Sequence, residues 1–123
     1  MTPVLLTRGD ILDRLSIMEI KSNNGLDIDY LPFDRFISRW PQYQNEAAYK
    51  ELKEVNNSLW ILEDKIRDAH SADDLDTNEV TFLSAAIIQH NWNRSEIKKS
   101  IDGENAEPKK YAMPKKYADS DGR

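Results

Sequence analysis

Ionisable and carboxamide side chains recur among the apolar positions of three stretches of the sequence. At about 100° per residue, they fall within or beside the arcs that the apolar residues occupy. These side chains are Glu19 in the first stretch, then Asn56, Glu63, Arg67 and His70, and finally His90, Asn91, Arg94 and Lys98. A charged group removed from water costs several kcal/mol unless it is paired. We therefore expect these side chains to meet one another inside the protein.

Bases outnumber acids in this inward set, since Arg67, Arg94 and Lys98 face only Glu19 and Glu63. An excess of buried base predicts a bound anion, for which arginine offers a bidentate fork. The sequence therefore predicts a pocket between helices that binds, and possibly sequesters, an anionic, nucleotide-like small molecule without turnover and without a cofactor. The predicted ligand-binding residues are Glu19, Asn56, Glu63, Arg67, His90, Asn91, Arg94 and Lys98, joined by Lys109, Lys110 and Tyr111 of the C-terminal tail.

Two other interpretations of the same residues stay open. In the first, Glu19, Glu63 and Asp64 hold Mg²⁺ in a nucleotide phosphohydrolase or pyrophosphohydrolase, since hard cations prefer carboxylate oxygens. In the second, the polar residues form a buried salt-bridge layer that fixes the register of a structural or adaptor oligomer. The sequence offers no convincing nucleophile, and amides near Gly9 and Asp10, at a helix start, are a further candidate anion site.

The elements that must position these residues are helices. Thr7 and Asp10 resemble a capping box that opens a first helix, and Gly25 lies at its stop. A short helix is predicted to begin at Pro32, between two prolines that bracket an aromatic segment. Apolar periodicity predicts two long helices, over residues 46–70 and 76–101, joined by an acidic turn.

No stretch alternates with period two, so a sheet has little support. The predicted fold is all-α: a small bundle built on a long antiparallel helix pair plus an N-terminal helix, with an extended C-terminal tail. Residues 1–103 form the predicted bundle domain, and residues 104–123 form a basic and aromatic tail that repeats the string PKKYA. The tail is interpreted as a lid over the ligand, a subunit contact or a disordered segment.

Composition excludes several classes of protein. The 123 residues carry 22 acids against 17 bases and no cysteine, which rules out disulfides and cysteine-bound metals. A net charge of −5 argues against a protein that coats double-stranded nucleic acid, because such proteins bind phosphates with a basic surface. No stretch approaches the roughly 20 apolar residues of a membrane span, so we expect a cytoplasmic protein. Trp92 beside Ile88 on an outward face indicates a homo-oligomer.

Three strings of the sequence resemble the motifs of an uncharacterised family of short bacterial and viral proteins, some of them attached to glycosyltransferase-like chains. The strings are GDILDRLSIMEIK at residues 9–21, NNSLWILEDKIR at residues 56–67 and NWNRSEIKKSI at residues 91–101. The family motifs have the form GDxLDRLxIxEIK, NxxLWxxED and NxxRxxIK. The resemblance covers the three long helices and implies no activity. A viral protein that sequesters a host nucleotide signal is one concrete version of the predicted function.

Overall fold

The computed structural model describes residues 3–71, 77–103 and 111–114 of the chain. Four α-helices make up most of this part, which confirms the predicted all-α class. The elements in chain order are strand β1 (Pro3–Leu6), helix α1 (Arg8–Asn23), a 3-10 helix (Leu31–Phe33), helix α2 (Asp34–Arg39), a second 3-10 helix (Tyr43–Asn45), helix α3 (Ala47–Ser71), helix α4 (Thr77–Asp102) and strand β2 (Tyr111–Pro114).

Helices α3 and α4, of 25 and 26 residues, pack against each other as the long pair predicted from periodicity. α1 packs against both of them and so completes a three-helix core. The predicted acidic turn between the long helices lies outside the described residues. None of the described helices combines the length and the apolar run that crossing a membrane requires.

α1 begins as the sequence predicts. The Thr7 hydroxyl accepts a hydrogen bond from the Asp10 backbone, and the Asp10 carboxylate accepts one from the Thr7 backbone. After the last helical residue, Gly25 adopts φ +84°, a left-handed conformation that suits glycine. Unlike a surface helix, α1 is buried on almost every side, because the α3–α4 pair covers one side and the aromatic segment another. Its buried residues are Gly9, Ile11, Leu12, Asp13, Leu15, Ser16, Ile17, Met18 and Ile20.

The aromatic segment between α1 and α3 closes the remaining side of the core. Phe33 and Phe36 are fully or almost fully buried, and the rings of Phe36, Tyr43 and Tyr49 follow one another edge to face. The predicted short helix at Pro32 is present as a 3-10 turn that continues into α2. Aromatic rings bury a large area each, so a segment with little regular structure can cover a helix face.

A short ladder of strands corrects the expectation that the chain has no sheet. β1 and β2 pair antiparallel, with Leu6 opposite Tyr111 and Pro3 opposite Pro114. Neither strand shows a period-two pattern, because such a short ladder depends on backbone hydrogen bonds rather than on an apolar face. Part of the predicted tail is therefore a strand, and the boundary predicted at residue 103 separates two elements that pair.

The start of α1 contacts the end of α4 so closely that a side chain at Gly9 has no room. A Cβ atom placed there would lie 2.8 Å from the Lys98 carbonyl oxygen and 3.1 Å from the Asp102 carboxylate. The Gly9 amide instead donates a 2.8 Å hydrogen bond to Asp102. Sequence analysis proposed this helix start as an anion site, and the structure corrects that proposal, because the protein's own carboxylate takes the Gly9 amide.

Gly9→Ala should destabilise the protein, although alanine normally stabilises a helix by about 0.5–1 kcal/mol over glycine. The added methyl group must push the Lys98 carbonyl away, at a cost of about 1–3 kcal/mol. Chemical denaturation measures this loss. Ser22→Ala, at an exposed position of the same helix, is the matched control and should change the free energy of unfolding by less than about 0.5 kcal/mol. Unchanged or increased stability of Gly9→Ala would contradict the close contact.

Candidate functional site

The centre of the helical bundle holds one fully buried carboxylate, that of Asp13 on α1. Arg94 of α4 binds it with two hydrogen bonds, from Nε to Oδ1 at 2.9 Å and from Nη2 to Oδ2 at 2.5 Å. Arg14 donates a further bond to Oδ2 at 2.9 Å. Both guanidinium groups are themselves largely buried, with side-chain exposures of 11% for Arg94 and 13% for Arg14. Such bidentate contacts are among the strongest between side chains.

Asn56 brings α3 into the same cluster. Its amide nitrogen donates to Asp13 Oδ1 at 2.9 Å and to the Ser16 hydroxyl at 2.8 Å, so both amide hydrogens are used. Ser16 in turn donates to the Asp13 backbone carbonyl at 2.7 Å. Among the described residues, no buried side-chain polar atom lacks a hydrogen-bond partner. We call Asp13, Ser16, Asn56 and Arg94 the buried polar cluster; it joins α1, α3 and α4.

The cluster corrects the predicted surplus of inward bases. Lys98 lies 3.1 Å from Asp10 Oδ1 and 3.9 Å from Asp13 Oδ2, so it too faces carboxylates of α1. Both aspartates lie outside the predicted inward set, because that set assumed a single inward face of α1. Arg94 and Arg14 share Asp13, and Lys98 pairs with Asp10, so each of these cations has a carboxylate partner without a ligand.

Glu19, predicted at the ligand site, lies in a separate contact. The Tyr49 hydroxyl donates to Glu19 Oε2 at 2.6 Å, and Lys53 Nζ lies 3.3 Å from Oε1. Burial, reinforced by the Glu19 carboxylate, raises the pKa of Tyr49 far above its ordinary value. Tyr49 therefore stays protonated and serves as a hydrogen-bond donor that ties α1 to α3.

A small, partly open cavity of about 80 Å³, which we call the internal cavity, lies between α1, α3 and α4. It brings together four of the predicted site residues with apolar side chains and one tryptophan. Its lining consists of Ile17, Ile20, Asn56, Leu59, Trp60, Glu63, Asn91 and Arg94. The cavity has room for a group of a few heavy atoms, in contact with a carboxylate, two carboxamides and a guanidinium.

A larger, open cleft of about 370 Å³ shares Asn91 and Arg94 with the internal cavity. It runs along the C-terminal part of α4 and carries three cationic side chains against one carboxylate. Its lining residues are Asn91, Arg94, Ser95, Lys98, Lys99 and Asp102. We call it the α4 cleft. Lys99 is its most solvent-exposed cation, with 72% of the side chain accessible.

Several predicted residues lie elsewhere. Arg67 is exposed and pairs with Asp64 at 2.8 Å, one turn before it on α3, so its side chain does not point into the bundle as predicted. His90 lines neither the cavity nor the α4 cleft; its Nδ1 lies 2.7 Å from the Ala86 carbonyl oxygen. Lys109 and Lys110 lie outside the described residues. The Tyr111 backbone pairs with Leu6 in the short ladder.

The carboxylates proposed to hold Mg²⁺ are not brought together. Glu63 lies ten residues beyond Lys53, the α3 partner of Glu19, which is about 15 Å of helix rise. Asp64 pairs with Arg67 instead. Within residues 3–71, 77–103 and 111–114, no three histidine, aspartate or glutamate side chains are grouped as metal ligands.

Sequence reasoning missed Asp13, Ser16 and Asp10 as members of the inward polar set. A helix wheel places Asp13 about 40° from Ile17 and 20° from Ile20, on a second apolar side of α1, whereas the prediction considered only the side of Leu12 and Leu15. The string GDILDRLS contains all three residues within two turns of helix, and this density of polar side chains in a strongly apolar helix was the available signal.

Arg94→Ala should lower the free energy of unfolding by about 3–5 kcal/mol, because it removes the bidentate partner of a fully buried carboxylate. Asp13→Ala should cost a similar amount. The double variant should lose less than the sum of the two single variants, and denaturation of all four proteins gives this coupling energy. Arg67→Ala, which breaks an exposed pair, is the matched control and should cost less than about 1 kcal/mol. Higher stability of Arg94→Ala would instead support a surplus cation.

The capping carboxylate of Asp10 makes stability depend on pH. Burial acts to raise its pKa, but the Thr7 backbone amide and the Lys98 ammonium group outweigh burial and bring the pKa below its ordinary value of 3.8. A lowered pKa stabilises the folded protein above that value, and the stabilisation is lost as pH falls through the folded pKa. Asp10→Asn should therefore cost about 1 kcal/mol at neutral pH and progressively less below about pH 4.

Denaturation curves across the acid range measure this difference, with Asp27→Asn, at an exposed position in the loop after α1, as control. A cost of Asp10→Asn that stays constant or grows as the pH falls would contradict the assignment.

No model of a protein family matches the chain, and no curated protein or solved structure matches it either. Function must therefore be inferred from the contacts, burial and charge of the described residues.

Proposed function

We propose that the protein binds a small anionic molecule in the α4 cleft and holds it without turnover. The observation that carries this proposal is the set of three cationic side chains that line the cleft: Arg94 and Lys98, each paired with a carboxylate of α1, and the exposed Lys99. Asp13, Asp10 and Glu96 pair with these groups, so what the cleft offers is a set of cationic hydrogen-bond donors and not a surplus of positive charge. Guanidinium and ammonium groups donate charge-assisted hydrogen bonds to phosphate and carboxylate oxygens, which suits an anionic ligand.

The three cationic side chains of the cleft differ in how firmly their acidic partners hold them. Asp13 fixes the orientation of Arg94, and Asp10 restrains Lys98, whereas Lys99 pairs with the exposed Glu96, at 3.4 Å. A fixed guanidinium loses little conformational entropy when it binds an anion. Lys99 can turn towards an incoming phosphate or carboxylate because its present pair is exposed and therefore weak.

The size of the two spaces favours a ligand with an anionic end and a small polar end. The α4 cleft, at about 370 Å³, falls within the usual range for small-molecule sites, which begins near 300 Å³. Asn91 lies where the α4 cleft joins the internal cavity. In that cavity, Glu63 and Trp60 would contact the end of a ligand that carries hydrogen-bond donors. A nucleotide-like molecule would place its phosphates over the lysines of the cleft and its polar end in the cavity. Tight retention of such a molecule would amount to sequestration.

Binding is favoured over hydrolysis by the state of the lining groups. Asp102, the carboxylate of the cleft, already accepts the Gly9 amide hydrogen. The basic groups of the cleft are donors suited to holding phosphate oxygens rather than to removing a proton from water. A phosphohydrolase would need a group that activates water, and we assign none to this cleft.

A structural role of the buried polar cluster is the second candidate. The observation that favours it is that Asp13 and Asp10 already provide carboxylate partners for Arg94, Arg14 and Lys98. A layer in which each charged group has a partner needs no ligand and fixes how three helices meet. Under this candidate the α4 cleft is an ordinary exposed surface, and anions bind it no more tightly than they bind any lysine-bearing helix.

Isothermal titration calorimetry with ribonucleoside diphosphates, ribonucleoside triphosphates and inorganic pyrophosphate tests the proposal. We expect at least one probe to bind with a micromolar or lower dissociation constant, and Lys99→Gln to weaken that binding about tenfold, because it removes a charge-assisted contact. Lys65→Gln makes the same change of charge at an exposed position of α3 and should have no effect. Equal losses in the two variants, or no binding by any probe, would leave the structural candidate.

Recovery of the probe separates binding from hydrolysis. After incubation with Mg²⁺, the protein is denatured by heat and the released nucleotide is analysed by chromatography. Intact nucleotide in stoichiometric amount supports binding without turnover. Accumulation of a dephosphorylated product that increases with time would identify a phosphohydrolase.

A further inference from the structure

The outer half of the α3–α4 pair extends beyond the part that α1 covers. The contacts of α1 with α4 lie at Arg94, Lys98 and Asp102, in its C-terminal half. In the N-terminal half of α4, Leu83 is the buried side chain, and no residue from 60 to 70 of α3 is buried. A pair of helices without a third cannot cover both of its apolar sides. We call residues 60–71 and 77–92 the helical arm.

The exposed side of α4 in this arm is apolar. Phe82, Ile88 and Trp92 are 71%, 70% and 60% exposed, respectively. Trp92 lies about 180° round the helix from buried Leu83, so this side points away from the protein's own core. Ala85 completes the stripe, because residues 81, 85, 88 and 92 follow the alternating spacing of four and three residues that is typical of helix–helix contacts.

Acidic and basic side chains are absent from most of the α4 part of the arm. Residues 80–93 contain no aspartate, glutamate, lysine or arginine, although 32% of the chain consists of these residues. Protein interfaces are depleted of charged residues at their centres and enriched in aromatic ones. A charge-free face can also meet a copy of itself without like-charge repulsion, as an interface with twofold symmetry requires.

The order of side-chain sizes along the stripe makes it complementary to itself. If two copies of α4 run antiparallel about a twofold axis between residues 86 and 87, Ala85 of one lies opposite Ile88 of the other. Thr81 then lies opposite Trp92. Each small side chain faces a large one, which is how two helices pack closely.

The area available is sufficient. Each of the three large side chains exposes roughly 100–150 Å². Phe82 lies at the edge of the stripe, about 80° round the helix from Trp92, and the exposed Thr81 and Ala85 add to the face. Two such faces approach on the order of 1,000 Å² in total, the lower limit of a specific interface.

We propose that a second copy of this chain docks on the α4 stripe of Thr81, Ala85, Ile88 and Trp92, so that the two α4 helices pack antiparallel against each other and each keeps its own α3 on the far side. The α4 cleft lies at the other end of the helix and stays open in this arrangement.

Sedimentation equilibrium of the purified full chain tests the proposal. We expect a mass of twice 14.3 kDa at micromolar concentration. Ile88→Glu should weaken dimerisation at least about 100-fold, because it places a charge at the centre of an apolar contact. Leu31→Glu is the matched control, since Leu31 is 74% exposed but lies in the 3-10 helix away from the arm; it should leave the dimer intact. Circular dichroism checks that each variant is folded.

A mixing experiment tests the register. Ala85→Lys and Ile88→Glu should each be monomeric alone, and equal amounts of the two should restore a dimer, because the new lysine of one copy lies opposite the new glutamate of the other. A wild-type monomer up to about 100 μM, a dimer unaffected by Ile88→Glu, or a mixture that stays monomeric would each overturn the proposal.

Discussion

The fold is built around the buried carboxylate of Asp13. Asp13 is completely buried and would be strongly unfavourable there without partners, so the helices that surround it must deliver donors to both of its oxygens. Arg94 comes from α4 and Asn56 from α3, and their distances to Asp13 fix how the two long helices sit on α1. The apolar side chains of the core supply most of the stabilisation, but they would tolerate small shifts along the helices. The hydrogen bonds of Asp13 do not tolerate such shifts.

This constraint also shapes the surface that we propose for ligand binding. Arg94 is held from inside by Asp13 and lines both the internal cavity and the α4 cleft, so structure and recognition share one guanidinium group. A ligand at the cleft therefore meets a cation whose orientation is set before binding. The same sharing explains why loss of Arg94 does not distinguish the two roles, whereas loss of exposed Lys99 does.

The two halves of the long helix pair differ in what covers them. Near the C-terminus of α4, helix α1 and its acids complete the core, and the exposed surface is polar. Near its N-terminus α3 is the only described element that covers α4, and the exposed surface carries Phe82, Ile88 and Trp92. Because α1 is shorter than α3 and α4, it covers one end of the pair and leaves an exposed apolar surface at the other end. Recognition of a small molecule and self-association are proposed for opposite ends of one helix.

The sequence by itself determined the helices, the capping box at Thr7 and the inward direction of Asn56 and Arg94, because caps and apolar periodicity are local properties of the chain. Tertiary structure decided which groups meet. The prediction turned one face of α1 inward, whereas α1 is covered on almost every side. Asp13 was therefore not predicted to be buried, and it is the acidic partner that Arg94 lacked in the predicted set. Glu19 of α1 likewise contacts Tyr49, near the start of α3, whereas Glu63 lies several turns further along α3. Only packing shows which turn of one helix lies against which turn of the next.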